Sequence, residues 1–281
     1  MFVSHNLEST ICSLTTARAL NRVAAALGKK AIVHLKVDTG MGRIGFAPKD
    51  VVAAGVAISN MKNISLKGLF THFATSDEWD LAFAQRQLKE FNDVVKALET
   101  AGISITVKHC ANSGAILQMK DTGYDLVRPG IMMYGYRPSV ETRATLTLRP
   151  AMTLRARIGF MKDVARGVSI SYGRRYFTKS RTTIASVTAG YADGISRRLS
   201  NKTSAIIKGK KYPVVGTICM DQLMIDVGQR HGCKVGDAVT LMGREGKSEI
   251  SGCDISNALG TIPYEVCCAI SERVPRVYIH G

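Results

Sequence analysis

The chain has 281 residues, of which 46% are hydrophobic, and can therefore bury a sizeable core in one large or two ordinary domains. It has no run approaching the roughly 18 apolar residues of a membrane span, and its first residues do not resemble a secretion signal, so we expect a cytoplasmic protein. Seven cysteines, an odd number without a C-x-x-C pair, predict reduced thiols with neither disulfides nor zinc.

The formal charge of +16 raises a nucleic-acid partner as an alternative, because basic surfaces bind phosphate backbones. The basic clusters are short, however, and apolar segments separate them. The chain contains neither a basic helix nor an RNA-binding motif in which aromatic residues alternate with basic ones. We therefore favour a solvated basic surface that is compatible with a small anionic ligand, and we predict neither a nucleic-acid nor a membrane partner.

The first half of the chain alternates predicted strands and helices. The first strand is Thr10–Leu14, and the helix after it runs to Leu27 and is closed by Gly28. The second strand, Ala31–Val37, is apolar at nearly every position, which is typical of a parallel strand that is covered on both faces. A further helix is expected from Pro48 to about residue 60.

The loop after the second strand contains Gly40-Met41-Gly42-Arg43-Ile44-Gly45, a match to G-x-G-x-x-G that raises a nicotinamide or flavin dehydrogenase as an alternative. Phe46 and Ala47 separate its last glycine from the helix expected at Pro48, so this glycine does not open the helix directly, and no acid follows about twenty residues on. Both observations argue against this alternative. In a strand-loop-helix unit, Lys36 and Arg43 would lie at the functional carboxyl end of the strand. A glycine-rich turn with one surface arginine stays open on this stretch alone.

Three more strands are predicted before residue 143: Leu66–Phe73, Ile105–Cys110 and Tyr124–Arg128. This repetition is the pattern of a (β/α)8 barrel, so we predict an α/β fold with a partial TIM barrel of about five strands over residues 1–143. A full barrel needs about 250 residues, and we therefore expect about three strands to be absent at the amino end. Five parallel strands cannot close a small barrel, so something must cover the open edge.

From Thr145 the pattern changes to alternating strands, and we predict a mostly β carboxyl-terminal domain over residues 144–281. Its predicted strands include Thr145–Leu148, Met152–Ile158, Thr183–Thr188 and Ala205–Ile207.

Three segments of this domain contain tyrosines, carboxylates and glycines that a strand does not require. They are Ser171-Tyr172-Gly173, the glycine-flanked segment from Ala189 to Gly194, and the segment from Val215 to Asp221, which ends in a carboxylate. Taken singly, each is more often a half-buried aromatic residue or a turn. Taken with the first domain, they indicate a shared function.

Over essentially its whole length, the chain resembles the alanine racemases, which are pyridoxal 5'-phosphate (PLP) enzymes of fold type III. The matching stretches, in order, are HLKVDTGMGRIGF, GLFTHFATSDE, HCANSGAIL, VRPGIMMYGY, SISYG, GYADG, GTICMDQLMIDV and GTIPYEV. The resemblance implies a barrel joined to a β domain, in a head-to-tail homodimer whose active sites mix residues of both subunits. It also implies that the chain interconverts L- and D-alanine for cell-wall peptide synthesis.

The resemblance implies the catalytic residues Tyr172, Arg128 and His72. PLP makes the Cα proton of an amino acid removable, and racemisation then needs a base on each face. Tyr172 would be one base, reaching the partner subunit's site, with His72 and Arg128 in the network that tunes it. Arg128 would face the pyridine nitrogen and keep it unprotonated, which favours return of the proton over transamination.

The resemblance also implies the binding residues, with no metal. The PLP site would comprise His72, Asn112, Ser113, Arg128, Gly130, Ile131 and Tyr264. Within it, Ser113, Tyr264 and the N–H groups around Gly130 and Ile131 would hold the phosphate. The substrate site would comprise Arg43 and Met220 at the carboxylate, Tyr191 at the entrance, and Lys36, carbamylated in many relatives, holding Arg43.

One feature of the family has no match in this chain. The lysine that forms an imine with PLP lies in a V-K-A-N-A-Y-G-like segment of the family's first barrel strand, and no such segment occurs here. Lys36 is a poor substitute, because its matching position already has a role. We therefore predict an amino-terminally truncated alanine racemase that is catalytically impaired as an isolated chain. The alternatives are a racemase for another amino acid, such as serine, and a non-catalytic remnant or complementing subunit.

Overall fold

The computed structural model describes residues 1–143 and 145–279. They form two compact units, one made of residues 1–130 with 141–147 and the other of residues 131–140 with those from 148 onward. The chain therefore crosses from one unit to the other after residues 130, 140 and 147, whereas the sequence predicts a single boundary at residue 143. Among the described residues, no helix combines the length and the apolar character needed to cross a membrane.

The first unit is an α/β structure around a parallel sheet with the order β1-β2-β3-β4. Its strands are β1 (Ser9–Ile11), β2 (Ala31–Lys36), β3 (Ile64–Phe70) and β4 (Val107–His109). Its helices are α1 (Leu14–Ala26), α2 (Val51–Ser59), α3 (Ala82–Thr100) and α4 (Ser113–Gln118). One helix follows each strand, so the carboxyl ends of all four strands meet at the same edge of the sheet.

The apolar pattern of the sequence explains most of these elements. Fully buried side chains of the strands pack with buried side chains of the helices, and they include Ile11, Val33, Leu35, Leu69, Ile58, Phe91 and Leu98. Strand β1 is shorter than predicted, because the hydroxyl of Ser13 accepts the N–H of Thr16 and so caps α1. The predicted helix from Pro48 begins as one 3-10 turn, Pro48–Asp50, before α2.

The predicted fifth parallel strand, Tyr124–Arg128, is not a strand. Two backbone hydrogen bonds join it to the β4 segment, from Asp125 N–H to the Lys108 carbonyl (3.1 Å) and from Arg128 N–H to the Ala111 carbonyl (2.9 Å). The N–H of Lys108 donates instead to the carboxylate of Asp125 (2.7 Å), and Tyr124 has a φ of 31°. A side chain therefore takes the place of a ladder bond, and the sheet has four strands rather than five.

The second unit is mostly β, as predicted, with an antiparallel sheet in the order β8-β7-β10-β5-β6-β9 and β11 beside β10. Its strands are β5 (Leu154–Val164), β6 (Thr182–Val187), β7 (Ser204–Ile207), β8 (Lys210–Pro213), β9 (Leu223–Gly228), β10 (Ala238–Glu245) and β11 (Ser248–Ile250). Two helices follow, α5 (Gly252–Leu259) and α6 (Pro263–Ala269). The predicted strand Thr145–Leu148 is wrong, because Thr145 is held in the first unit by a bond from its hydroxyl to the Leu117 carbonyl (2.5 Å).

Candidate active site

The guanidinium of Arg128 joins the carboxyl ends of β3 and β4. Its Nη2 donates to the carbonyl of Thr71 (2.7 Å) and to that of Cys110 (3.1 Å), the residues that directly follow these strands. The same nitrogen lies 3.4 Å from Nδ1 of His72, and Nη1 donates to Nδ1 of His109. Arg128 and His72, paired in the sequence analysis, are thus brought together, and His109 is a contact that the sequence analysis missed.

Positive charge gathers around His72. Burial, together with the charge of Arg128, lowers the pKa of His72 to about 4, and Arg43 and Lys36 act in the same direction. His72 is therefore neutral at physiological pH. Two of the cations lie near the aromatic ring of Phe70, whose centroid is 5.6 Å from Lys36 Nζ and 5.2 Å from the Arg128 guanidinium carbon. Such a group of cations suits an anionic ligand.

Lys36 is the last residue of β2 and is 2% exposed. Its amine donates to the carbonyl of Val37 (2.5 Å). Burial lowers the pKa of Lys36 to about 8, the nearby charges of Arg128 and Arg43 lower it as well, and Asp38 opposes them. A substantial fraction of the amine is therefore neutral near pH 8, and a neutral amine is the form that can react with CO2.

Lys36 gives a testable pH dependence. In the unfolded chain a lysine holds its proton to about pH 10.4, whereas folded Lys36 releases it near pH 8. Between these values the unfolded state binds more protons, so this group makes the folded state more stable as pH rises. We expect the wild type to gain up to about 3 kcal/mol relative to Lys36→Met between pH 7 and pH 10.5.

The measurement is urea denaturation of both proteins at the two pH values. Lys49→Met, at an exposed position, is the matched control and should follow the wild type. Equal pH dependence of the wild type and Lys36→Met would show that Lys36 is solvated in the folded state.

The glycine-rich loop folds around its own carboxylate. Oδ1 of Asp38 accepts the N–H groups of Gly40 (3.2 Å) and Gly42 (3.0 Å). At Gly45, φ is 129° and a Cβ would lie 2.8 Å from the Asp38 nitrogen, so glycine is required there. Asp38 occupies amides that a dinucleotide phosphate would need, and no helix opens at Gly45, which argues against a dehydrogenase. Arg43 lies exposed in this loop.

Gln87 of α3, which is fully buried, ties the loops after β2 and β3 together. Its amide nitrogen donates to the Thr39 hydroxyl (3.4 Å) and to the His72 carbonyl (3.2 Å), and its oxygen accepts the N–H of Ala74 (2.9 Å). The sequence analysis missed this residue. A glutamine within the apolar periodicity of the helix was the available signal, because a buried amide needs polar partners.

A second group of predicted residues lies at the start of α4. The side chain of Asn112 accepts the N–H of Ala115 (3.1 Å) as the helix cap and the hydroxyl of Ser76 (2.7 Å). Ser113 is buried, and its hydroxyl oxygen accepts the N–H of Gly130 (2.8 Å). The structure thus brings Ser113 and Gly130 together, and Asn112 fixes the turn that presents them.

The other residues assigned to the phosphate belong to the second unit. Ile131 is buried at the start of a 3-10 helix, Ile131–Tyr134. Tyr264 is the second residue of α6 and is 38% exposed.

A third group lines a cleft of about 550 Å³ in the second unit, and it includes Tyr172, Tyr191 and Met220. Tyr172 is 71% exposed. It follows Ser171, whose φ is 65°, and its carbonyl accepts the hydroxyl of Thr217 (2.7 Å). The turn therefore presents the phenol of Tyr172 to the outside of its unit.

Tyr191 and Met220 lie on two segments that are bonded to each other. The Cys219 carbonyl accepts the N–H of Tyr191, and the Met220 carbonyl accepts the N–H of Ala192, both at 3.0 Å. A Cβ at Gly190 would lie 2.3 Å from the Met220 oxygen, so this approach requires glycine. Because the Met220 carbonyl is an acceptor, a backbone contact of Met220 with a carboxylate must use its N–H.

Arg273 links the same two segments through their carboxylates. Its Nε lies 2.9 Å from Asp193 and its Nη2 donates to Asp221 (2.6 Å). Asp193 also accepts the N–H of Gly190 (2.8 Å). Arg273 thus helps to hold the segments that carry Tyr191 and Met220, a role that sequence reasoning did not find.

Two family models match the chain: alanine racemase, N-terminal domain, over residues 1–138, and alanine racemase, C-terminal domain, over residues 151–278. "Alanine racemase 2" of Caldanaerobacter subterraneus subsp. tengcongensis is 45% identical over 279 residues, which cover 99% of this chain and 72% of that protein. The alanine racemase of Halothermothrix orenii is 43% identical over 278 residues, covering 99% and 73%.

Solved structures give the same result. An alanine racemase of Clostridium difficile 630 is 42% identical with a TM-score of 0.90, covering 99% of this chain and 72% of that one. An alanine racemase from D-cycloserine-producing Streptomyces lavendulae is 38% identical with a TM-score of 0.93, covering 100% and 74%.

Proposed function

The chain belongs to the alanine racemase family, a family of amino-acid isomerases, and from this premise we propose that it interconverts L- and D-alanine with PLP as its cofactor. The observation that carries the proposal is the cluster of Arg128, Arg43 and Lys36 around a neutral His72 at the strand ends. Within this cluster, Arg128 and Arg43 provide cationic donors for an anionic ligand. A neutral imidazole beside them can share a hydrogen bond with a base.

In this proposal PLP supplies the electron sink that makes the Cα proton of alanine removable. Arg128 would donate to the pyridine nitrogen and, because a guanidinium does not release its proton, would leave that nitrogen unprotonated. Ser113, the N–H groups of Gly130 and Ile131, and Tyr264 are the residues that would hold the phosphate.

Tyr172 is the proposed base on one face of the substrate. It acts in the site of a partner subunit, within a head-to-tail homodimer. A phenol in water releases its proton near pH 10, so a tyrosine base that works at neutral pH needs cations and hydrogen bonds around it. The cationic surroundings of His72 and Arg128 are suited to that purpose.

The substrate carboxylate is assigned to Arg43 and to the N–H of Met220, and Tyr191 is assigned to the entrance. Lys36, carrying a carbamate, would become an anion that holds Arg43. The support for this is the buried amine with a pKa of about 8, which is partly neutral and can add CO2. Mass spectrometry of the native protein in bicarbonate would detect the added CO2 on Lys36.

No lysine here matches the position to which the family attaches PLP, so we expect the chain by itself to racemise alanine slowly. The test supplies, as a second polypeptide, the segment that carries the PLP-attaching lysine in the alanine racemase family. With PLP and L-alanine, the mixture should form D-alanine at least tenfold faster than either component, measured with D-amino-acid oxidase.

The same assay separates the alternatives. L-serine in parallel identifies a racemase for another amino acid, which would convert serine faster than alanine. Absence of rescue, with PLP bound to the chain, would contradict the proposal and favour a non-catalytic remnant. Full activity of the chain alone would contradict the expected impairment.

A further inference from the structure

A chain of hydrogen-bonded side chains leads away from Arg128 across the sheet of the first unit. Nε2 of His109 lies 2.8 Å from Nδ1 of His34, and Nε2 of His34 lies 2.6 Å from a carboxylate oxygen of Glu8. The other oxygen of Glu8 accepts the amine of Lys67 (2.5 Å). We call Glu8, His34 and His109 the histidine relay. It starts just before β1, crosses β2 and ends at the last residue of β4.

The chemistry of its two ends gives the relay one direction. A guanidinium can only donate, so Nδ1 of His109 accepts from Arg128. Burial, with the charge of Arg128, lowers the pKa of His109 to about 3, so the ring carries a single proton, on Nε2. That proton is donated to Nδ1 of His34, and the proton of His34 therefore lies on Nε2.

At the outer end, the carboxylate of Glu8 accepts the proton on Nε2 of His34. Hydrogen bonds from Lys67 and then from His34 lower the pKa of Glu8, so it stays anionic and cannot donate. Every bond of the relay therefore points from Arg128 towards Glu8. No proton can travel along it from Arg128, because a guanidinium keeps its protons.

The local backbone is shaped to admit the imidazole of His34. A Cβ at Gly68 would lie 2.1 Å from Nδ1 of His34, so the ring fits only because residue 68 is a glycine. The register between β2 and β3 also shifts between Val33 and His34. A glycine inside a strand weakens a sheet, and a bulge locally disrupts its hydrogen bonds.

The ring of His109 is fixed as well. It stacks on Phe70, with the ring centroids 4.7 Å apart and the planes 6° from parallel. Both histidines are buried, at 8% exposure for His34 and 6% for His109. The geometry therefore holds two imidazoles in line between a surface carboxylate and the guanidinium of Arg128.

We propose that Glu8 and His34 are positioning residues of the active site, which act through His109 to keep the Arg128 guanidinium oriented as the donor to the pyridine nitrogen of PLP. Loss of the Glu8 acceptor frees His34 to carry its proton on Nδ1. Nε2 of His109 would then accept the proton of His34, and the single proton of His109 would lie on its own Nδ1. An N–H of His109 would face an N–H of Arg128, and this repulsion would push the guanidinium out of place. The role towards PLP rests on the proposed function, whereas the tautomers do not.

The first test is made on the cofactor-free protein by 15N NMR of the imidazoles at pH 7. Both His34 and His109 should be neutral with the proton on Nε2. In Glu8→Gln, the side-chain oxygen stays with Lys67 and the amide N–H faces His34, so His109 should change tautomer. Glu99→Gln, at an exposed position of α3, is the matched control and should leave both rings unchanged.

The second test compares the binding of PLP with that of 1-deaza-PLP, in which carbon replaces the pyridine nitrogen. Glu8→Gln should weaken the binding of PLP about tenfold and leave the binding of 1-deaza-PLP unchanged, because only PLP has a pyridine nitrogen that can accept a hydrogen bond from Arg128. Equal weakening of both ligands would indicate a merely structural role and overturn the proposal. An unchanged His109 tautomer in Glu8→Gln would overturn it as well.

The two tests also separate this proposal from the proposed function. Failure of the wild type to bind PLP would contradict the proposed function, and with it the role of the relay towards PLP. The NMR result would still decide the direction of the relay. Because Glu8 is 38% exposed and glutamine has nearly its shape, the variant is expected to fold.

Discussion

With PLP added, the chain should exchange the α-hydrogen of one enantiomer of alanine for solvent deuterium much faster than it forms the other enantiomer, and Tyr172→Phe should abolish this exchange. Racemisation needs a base on each face of the substrate. We assign Tyr172 to one face and assign no residue of this chain to the other. A positioned general base contributes about 10²–10⁴-fold, so the variant should lose at least about 100-fold of the exchange rate.

The measurement is proton NMR of L- and D-alanine in deuterated buffer, with PLP alone as the blank. Tyr278→Phe removes a hydroxyl from a tyrosine that is 87% exposed and serves as the control. Equal exchange of both enantiomers would mean that the chain supplies two bases. Exchange that survives in Tyr172→Phe would remove Tyr172 from the mechanism.

Replacing Arg128 with alanine should lower the free energy of unfolding by about 3 kcal/mol, because it leaves the carbonyls of Thr71 and Cys110 and a ring nitrogen of His109 without their charged donor. It should also raise the pKa of His109 and His72. Burial is the main cause of both low values, and the charge of Arg128 is the next.

Urea denaturation would measure the first effect, and histidine titration by NMR would measure the second. Arg128→Lys keeps the charge without the forked donors, so it should recover the low histidine pKa values but only part of the stability. Arg18→Ala, at an exposed position of α1, is the control. Unchanged histidine titrations in Arg128→Ala would show that the guanidinium does not face these rings.

Hydrophobic periodicity was enough to predict most elements of the first unit. Ala31–Lys36 is apolar at four of its six positions, and Ala82–Thr100 carries its apolar residues at helical spacing. The fifth strand could not be excluded in this way, because Tyr124–Arg128 has the composition of a strand. What prevents the ladder is a competing bond from the Lys108 N–H to the Asp125 carboxylate, and such competition is not visible in a pattern.

The candidate site was predictable where ordered motifs mark it, and the pairing of Arg128 with His72 followed from them. The roles of these residues stay predictions. The contacts of Glu8 and His34 depend on the register of β1 with β2 and on the shift between β2 and β3. Register is a property of chain pairing across long separations. A glycine inside β3 was the one local signal.

The carboxylate of Asp38, bonded to the amides of Gly40 and Gly42, has a consequence for ligand selection. Being part of the same loop, it competes for these amides at a very high effective concentration. A free inorganic anion would have to displace this tethered competitor before it could bind these two amides. The two amides of this loop are therefore a poor site for a small free anion.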